Sequence, residues 1–371
     1  MRWLPRYGLQ RLARRANGAH AQHLVIALAD HFEPAYLPEA PHDFAPLDVQ
    51  EQRLEEWTSE YPKIFHAWRD ADGFPLRHTY FSPAEQYHER LIDRLAEHCR
   101  RGWGEIEIHL HHGLHQPDTA EATRRALVEF RDALAERHGC LSRADGDDAP
   151  RYAFVHGNWA LANSAGGRFC GVDEEMRILA ETGCYADMTL PSSPSPAQVS
   201  KINSLYECGL PLDERAPHRR GRNLRVGRAP ELFPLMVQGP LGLNFSQRAA
   251  GLPFPKIESG ALTTRYPPTL ERLRLWRRAA VTVEGRPEWV FVKLHCHGMN
   301  PLDREAMLGG LIQKFLGELV ESARDGGGYR LHFVTAREMV NIILAACDGR
   351  EGSPGEFRDY RFRLIKPTRA A

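Results

Sequence analysis

The sequence predicts an α/β fold in which a parallel sheet or barrel is covered by helices. Three observations carry that expectation. Short β-like runs alternate with amphipathic stretches along most of the chain, the order of repeated β-α units. The unusual polar residues fall at the C-terminal ends of the expected strands, the edge that carries ligand sites in parallel α/β folds. The composition is globular: 42% hydrophobic and 26% charged residues leave enough apolar side chains for a core and exclude wholesale disorder.

In chain order, residues 23–30 (HLVIALAD) read as a buried strand, and residues 50–68 as a helix through Leu54, Trp57, Tyr61, Ile64, Phe65 and Trp68. Residues 77–81 follow as a strand. Ser82-Pro83 then opens a helix running to about residue 101, with Pro in its first turn. Residues 105–111 (EIEIHLH) alternate like a strand, and residues 118–138 are helical through Ala122, Leu127, Phe130 and Leu134. Residues 152–156 form the next strand, residues 172–182 a helix stopped by Gly183, and residues 185–190 another strand. Late in the chain, residues 289–295 (WVFVKLH) and 329–334 are strands, each followed by a helix, over 304–324 and 336–346.

Residues 191–266 are rich in Pro, Gly and Arg and interrupt this order; within them only residues 197–208 suggest a helix, and residues 223–245 suggest extra strands. The expected organisation is therefore a basic N-terminal arm (1–22), one barrel-like domain (23–348) carrying that elaboration, and a C-terminal tail (349–371) with a short strand over 360–365. At about 150 residues per domain the length would allow two or three, but an α/β barrel commonly runs to about 250 residues or more as one unit.

The charge balance, 48 Lys+Arg against 48 Asp+Glu, argues against nucleic acid or an anionic membrane held mainly by electrostatics. The longest early apolar run, residues 24–29, is far below the ~20 residues of a membrane span. Arg2, Arg6, Arg11, Arg14 and Arg15 surround no continuous apolar segment, so the N-terminus reads as a basic arm and not a signal peptide. Seven cysteines without a C-x-x-C pair do not resemble a disulfide framework, and a reducing, cytoplasmic setting is expected.

The chemistry concentrates at strand ends. Asp30, His31 and Glu33 close the first strand; His109, His111, His112 and His115 lie in seven residues at the end of the third; His156 ends the fourth; His295 and His297 end a late one. On a strand His109 and His111 share a face, and if the chain turns helical after His111, then His111 and His115 become neighbours. Either pair can hold a divalent metal: two neutral imidazoles plus a carboxylate leave an open position for water, as a hydrolytic metal needs. Asp30 is the favoured carboxylate, with Glu33 as its competitor. His295 suits a proton donor or oxyanion stabiliser. Cys296 reads as a buried small apolar residue, since no nucleophile elbow is present. The run His156-Gly157-Asn158-Trp159 offers backbone donors and an aromatic wall suited to a sugar face.

Taken together in their order, IALADHFEP, EIEIHLHHGLH, YAFVHGNW, GCYADMTLPS, VFVKLH and LHFVTAREM resemble the polysaccharide deacetylase superfamily, the NodB-homology or carbohydrate esterase family 4 group, over residues 24–346. The resemblance implies a distorted (β/α) barrel. It also implies hydrolysis of N- or O-acyl groups on sugars or related amides, and a divalent metal, Zn²⁺, held by Asp30, His111 and His115. His295 takes the place of the late catalytic His. Two departures mark a divergent branch: Ala29 stands where the family has a first aspartate, its base, and His112 stands where Ser or Thr is usual. Glu33 is the expected replacement base, with His31 and Asp187 as rivals. The expected substrate groove comprises His31, His109, His112, His156, Asn158, Trp159, Asp187 and His297. Two alternatives follow from the same residues: a barrel metallohydrolase for another amide or a phosphoester, for which the Arg219 to Arg228 cluster would supply clamps, or an inactive carbohydrate-binding homologue.

Overall fold

The computed structural model describes residues 1–17, 23–40, 43–246, 248–249 and 252–365. The end of the expected N-terminal arm (18–22), the end of the C-terminal tail (366–371) and residues 247, 250 and 251 of the elaboration lie outside the described residues.

The fold is mixed α/β with a large, mostly parallel central sheet. Among the described residues its ten strands are β1 (His23–His31), β2 (His78–Pro83), β3 (Gly104–Leu110), β4 (Tyr152–His156), β5 (Cys184–Asp187), β6 (Leu205–Cys208), β7 (Gly221–Asn223), β8 (Leu235–Val237), β9 (Trp289–Cys296) and β10 (Arg330–Val334). The order is β9-β1-β2-β3-β4-β5-β8-β6-β7, with β10 also on β1. All pairings are parallel except β8 with β6 and β6 with β7. The parallel order follows from the alternation with helices α2 (Leu47–Phe65), α3 (Glu89–His98), α4 (Ala120–Asp132) and α5 (Glu175–Glu181), which return the chain to the same edge each time.

Side-chain alternation divides the core in two. In β1, Leu24, Ile26 and Leu28 join the cluster that includes Leu54, Trp57, Leu91, Leu127 and Leu179 of the helices. Val25, Ala27 and Ala29 join a second cluster on the other face. That face is filled by α9 (Ala336–Cys347), every residue of which is buried. A capping box between Thr335 and Glu338 starts α9, satisfying donors that would be costly to bury unpaired.

Two local expectations are corrected, and one helix is added. Residues 197–208 are not helical: the Gln198 side chain accepts from the amides of Ser192 and Ser193, Asn203 takes φ 51°, and β6 follows, paired to β8. Tertiary pairing overrides local spacing there. Residues 304–324 form two helices, α7 (Arg304–Leu308) and α8 (Gly310–Arg324), separated by extended Gly309. Helix α6 (Leu270–Ala279) arises just past the elaboration, capped by Thr269. At the N-terminus, α1 (Leu4–Asn17) is anchored by Trp3, which is buried and donates to Ser193 Oγ at 3.0 Å.

Candidate functional site

The C-terminal ends of β1, β3 and β9 bring the predicted polar residues together according to strand parity. His31 follows Val25, Ala27 and Ala29 onto the face that also carries His109 and His295. Its ring lies 4.9 Å from that of His109, 4.6 Å from His297 and 6.2 Å from His295. His111 continues the row, 4.5 Å from His109. Glu33, just past β1, reaches into it: its Oε1 is 3.1 Å from His109 Nε2 and 3.4 Å from His111 Nε2.

The far sides of both rings are tied. His109 Nδ1 lies 2.7 Å from the Val155 carbonyl, an obligate acceptor, so Nδ1 carries a proton and Nε2 is the nitrogen turned to Glu33. His111 Nδ1 sits 2.7 Å from Glu85 Oε1, and the His111 amide donates to Glu85 Oε2 at 3.2 Å. Two imidazoles with anchored Nδ1 groups thus aim their Nε2 atoms at one carboxylate oxygen. This is how ligand histidines are oriented around a cation, the partners behind them fixing tautomer and angle. The donor atoms of Glu33, His109 and His111 lie within 4.8 Å of one another, and those of His31, Glu33 and His297 do likewise.

The electrostatics agree with a cation-seeking site. Burial works against ionisation of Glu33, but the His109 hydrogen bond and the facing His111 and His297 bring its carboxyl down to about 2. Burial, then His297, His109, His295 and Lys293, hold His31 well below the usual histidine range, so it is a neutral imidazole. His295 is lowered in the same way by burial and then Lys293, His297 and Arg272; its Nδ1 is buried with no hydrogen-bond partner among the described residues. For His111 burial opposes the proton, but Glu85 and Glu33 outweigh it and raise the ring above its usual value. That proton is the one a divalent ion would displace.

Several predicted site residues lie elsewhere. Asp30 is on the helix-facing side, as alternation from Leu24, Ile26 and Leu28 requires; it bonds His78 Nδ1 at 3.0 Å and the Gly298 amide at 2.7 Å, beside buried Cys296. It therefore does not join His111. His115 stands on an exposed bend, not one helical turn beyond His111, because Gly113 adopts φ 63° and packs against Cys170, which turns the chain away. The structure thus does not gather Asp30, His111 and His115, and the group around His111 that could hold a cation is Glu33, His109 and His111.

Asp187 pairs in register with Phe154 and Met236, which belong to the helix-facing cluster, so it lies on the side opposite His295, and it is held by Thr189 through both its hydroxyl, at 2.7 Å, and its amide, at 3.1 Å. Burial pushes it up to about 7. Buried Lys293 donates to the Met188 and Leu190 carbonyls at 2.6 and 2.8 Å, and burial lowers it to about 7. Half-buried Asn158 and Trp159 are consecutive left-handed residues, φ 52° and 57°, a conformation that stores about 1–3 kcal/mol each and clusters at ligand sites. His112 and His156 face the helices, where they meet Cys170 and Glu175.

Glu85, Cys170, Glu175 and His78 were not singled out from the sequence. Buried charge in an apolar helix, as at Glu175 in α5, was the available signal for one of them.

No protein-family model matches the chain, and a search of curated proteins returns no match. Among the described residues no helix is long and apolar enough to cross a membrane.

Proposed function

We propose that the chain is a metal-dependent hydrolase that removes an acyl group from an N- or O-acylated sugar or a related amide, on a distorted (β/α) barrel of the polysaccharide-deacetylase type. The observation that carries this reading is the convergence of His109 Nε2 and His111 Nε2 on Glu33 Oε1 with both Nδ1 atoms tied behind them. Three protein donors, of which His111 is partly exposed, fit an open, hydrolytic coordination better than a closed structural one. The barrel reading is supported by Lys293, whose ammonium reaches from β9 to the carbonyls following β5.

A divalent ion held there, Zn²⁺ by the nitrogen and oxygen donors, would polarise the acyl carbonyl and lower the pKa of a water. The oxygen of Glu33 turned away from the imidazoles accepts the proton of the attacking water. As the carbon–oxygen bond forms and the carbon–nitrogen or carbon–oxygen bond breaks, that proton passes to the leaving atom. His295, a neutral ring on the same face, donates a hydrogen bond to the developing oxyanion or relays that proton. Asn158 and Trp159 provide the substrate wall, and the sugar class of the substrate rests on the sequence resemblance.

The phosphoester alternative called for arginine clamps. Arg222 and Arg228 instead pair with Glu207, and Arg220 pairs with Glu214. The experiment is acetate release from N- and O-acetylated sugars and simple acetamides by metal-loaded protein. The proposal expects release that is lost in Glu33→Gln and in His109→Ala. Hydrolysis of phosphoesters alone, or sugar binding without turnover, would replace it.

A further inference from the structure

We propose that His112, His156, Cys170 and Glu175 form a second, structural metal site, closed and of the zinc type, on the helix-facing side of the sheet. The four donor atoms lie within 4.8 Å of one another and all four residues are buried. His112 Nε2 is 3.0 Å from both His156 Nε2 and Glu175 Oε1, and His156 Nε2 is 3.4 Å from the same oxygen. Their outer nitrogens are already committed. His156 Nδ1 faces the Gly157 carbonyl, which can only accept, so the proton is on Nδ1 and Nε2 is a lone pair. His112 Nδ1 donates to Asp118 Oδ2 at 2.9 Å, with Thr123 Oγ1 beside it at 3.1 Å.

Two imidazole lone pairs and a carboxylate oxygen therefore converge in a space closed to water. Protonating one imidazole satisfies the carboxylate but leaves a charged ring 3.0 Å from the second ring nitrogen. A divalent ion satisfies all three at once, with the Cys170 thiolate as the fourth ligand. Two nitrogens, one sulfur and one oxygen with no open position make a closed tetrahedral set. The carbonyl and carboxylate behind the two rings are the orienting partners such ligands take. Glu175 Oε2 is occupied by the Ala162 amide at 2.6 Å, which turns Oε1 toward the imidazoles.

This site does not depend on the proposed hydrolytic one, but it braces it. His111 and His112 are adjacent and point to opposite faces. The loop that carries them is already stitched to the Cys170 segment by Phe169 N–H to Gly113 carbonyl, 3.0 Å, and Asp118 N–H to Cys170 carbonyl, 2.7 Å. An ion joining His112 to Cys170, His156 and Glu175 locks the end of β3, the end of β4 and the start of α5 into one unit. His111 is then presented from a rigid base.

The test is loading with Co²⁺, because a thiolate ligand gives a near-ultraviolet charge-transfer band that nitrogen and oxygen ligands do not. Wild-type protein should bind two equivalents and show the band. Cys170→Ser should abolish the band, and His156→Ala should lose one equivalent together with it. The double variant His109→Ala, His111→Ala should lose the other equivalent and keep the band, so failure of either site is seen separately. Cobalt-loaded wild type without a thiolate band, or a band that survives Cys170→Ser, would overturn the proposal. The wild-type spectrum decides even if a variant does not fold.

Discussion

Glu85→Ala is the perturbation that isolates the orienting contact from the ligand itself. The Glu85 carboxylate makes two bonds to one residue, 2.7 Å to His111 Nδ1 and 3.2 Å to the His111 amide, and so fixes both the ring and the backbone that carries it. Without it, Nδ1 turns to water and the ring is free to rotate Nε2 off Glu33. Loss of such a partner typically costs about 10–100-fold in metal affinity, or about 1.4–2.7 kcal/mol. The Glu85 side chain is 24% exposed, so water fills its place and the fold should survive, with a change within about 0.5 kcal/mol. The assay is competition for Zn²⁺ against a chromogenic chelator at neutral pH, with circular dichroism as the control on folding. Glu85→Gln should lose less, since its carboxamide oxygen still accepts from Nδ1. An unchanged Kd in Glu85→Ala would refute the reasoning that Glu85 aims His111 at a cation.

Gly157→Ala would place a methyl 2.4 Å from His111 Cδ2 and 2.7 Å from the Leu110 carbonyl, where ordinary contact begins at 3.4 Å. The ring must retreat by about 1 Å, a displacement that can cost about 10²-fold in turnover, read as kcat/KM on the substrate the protein hydrolyses. Glu258→Ala should destabilise by about 3–5 kcal/mol in a denaturant titration, because it strands Arg272, buried and bound to Glu258 through Nε and Nη2 at 2.8 Å each. Asp72 is lowered from 3.8 to about 2: burial opposes this, but His332 and Arg358 hydrogen bonds prevail. A depressed carboxyl contributes stability that is present above its unfolded value and lost as pH falls through the folded one. Asp72→Asn should therefore cost about 1 kcal/mol at neutral pH, after allowance for screening at a partly exposed site. That gap should close as pH falls from about 4 to about 2 in acid-unfolding curves.

The parallel β-α order was legible because each unit is local: apolar runs such as 24–29 and helical spacing such as Leu54, Trp57 and Tyr61 need no partner to be recognised. The gathering of chemistry at strand ends was legible for the same reason. Choosing ligands was harder, because it depends on which face each side chain takes. Alternation along β1 places Asp30 with Leu24, Ile26 and Leu28 and leaves Glu33, beyond the strand, to reach the histidine row. The spacing of His111 and His115 required a helical turn that Gly113, packed on Cys170, does not allow. Glu85 and Glu175 reach their histidines across 26 and 63 residues of chain, contacts that no local pattern encodes. The same holds for residues 197–208, whose spacing is helical but whose last four residues are claimed by β8 and β7.

The most direct test of a cation at Glu33, His109 and His111 is anomalous diffraction at the zinc edge from crystals of Zn²⁺-loaded protein. The account predicts a peak at about 2.0–2.2 Å from His109 Nε2, His111 Nε2 and a Glu33 oxygen. A fully loaded crystal with zinc at Asp30 and His78 and none among Glu33, His109 and His111 would contradict it.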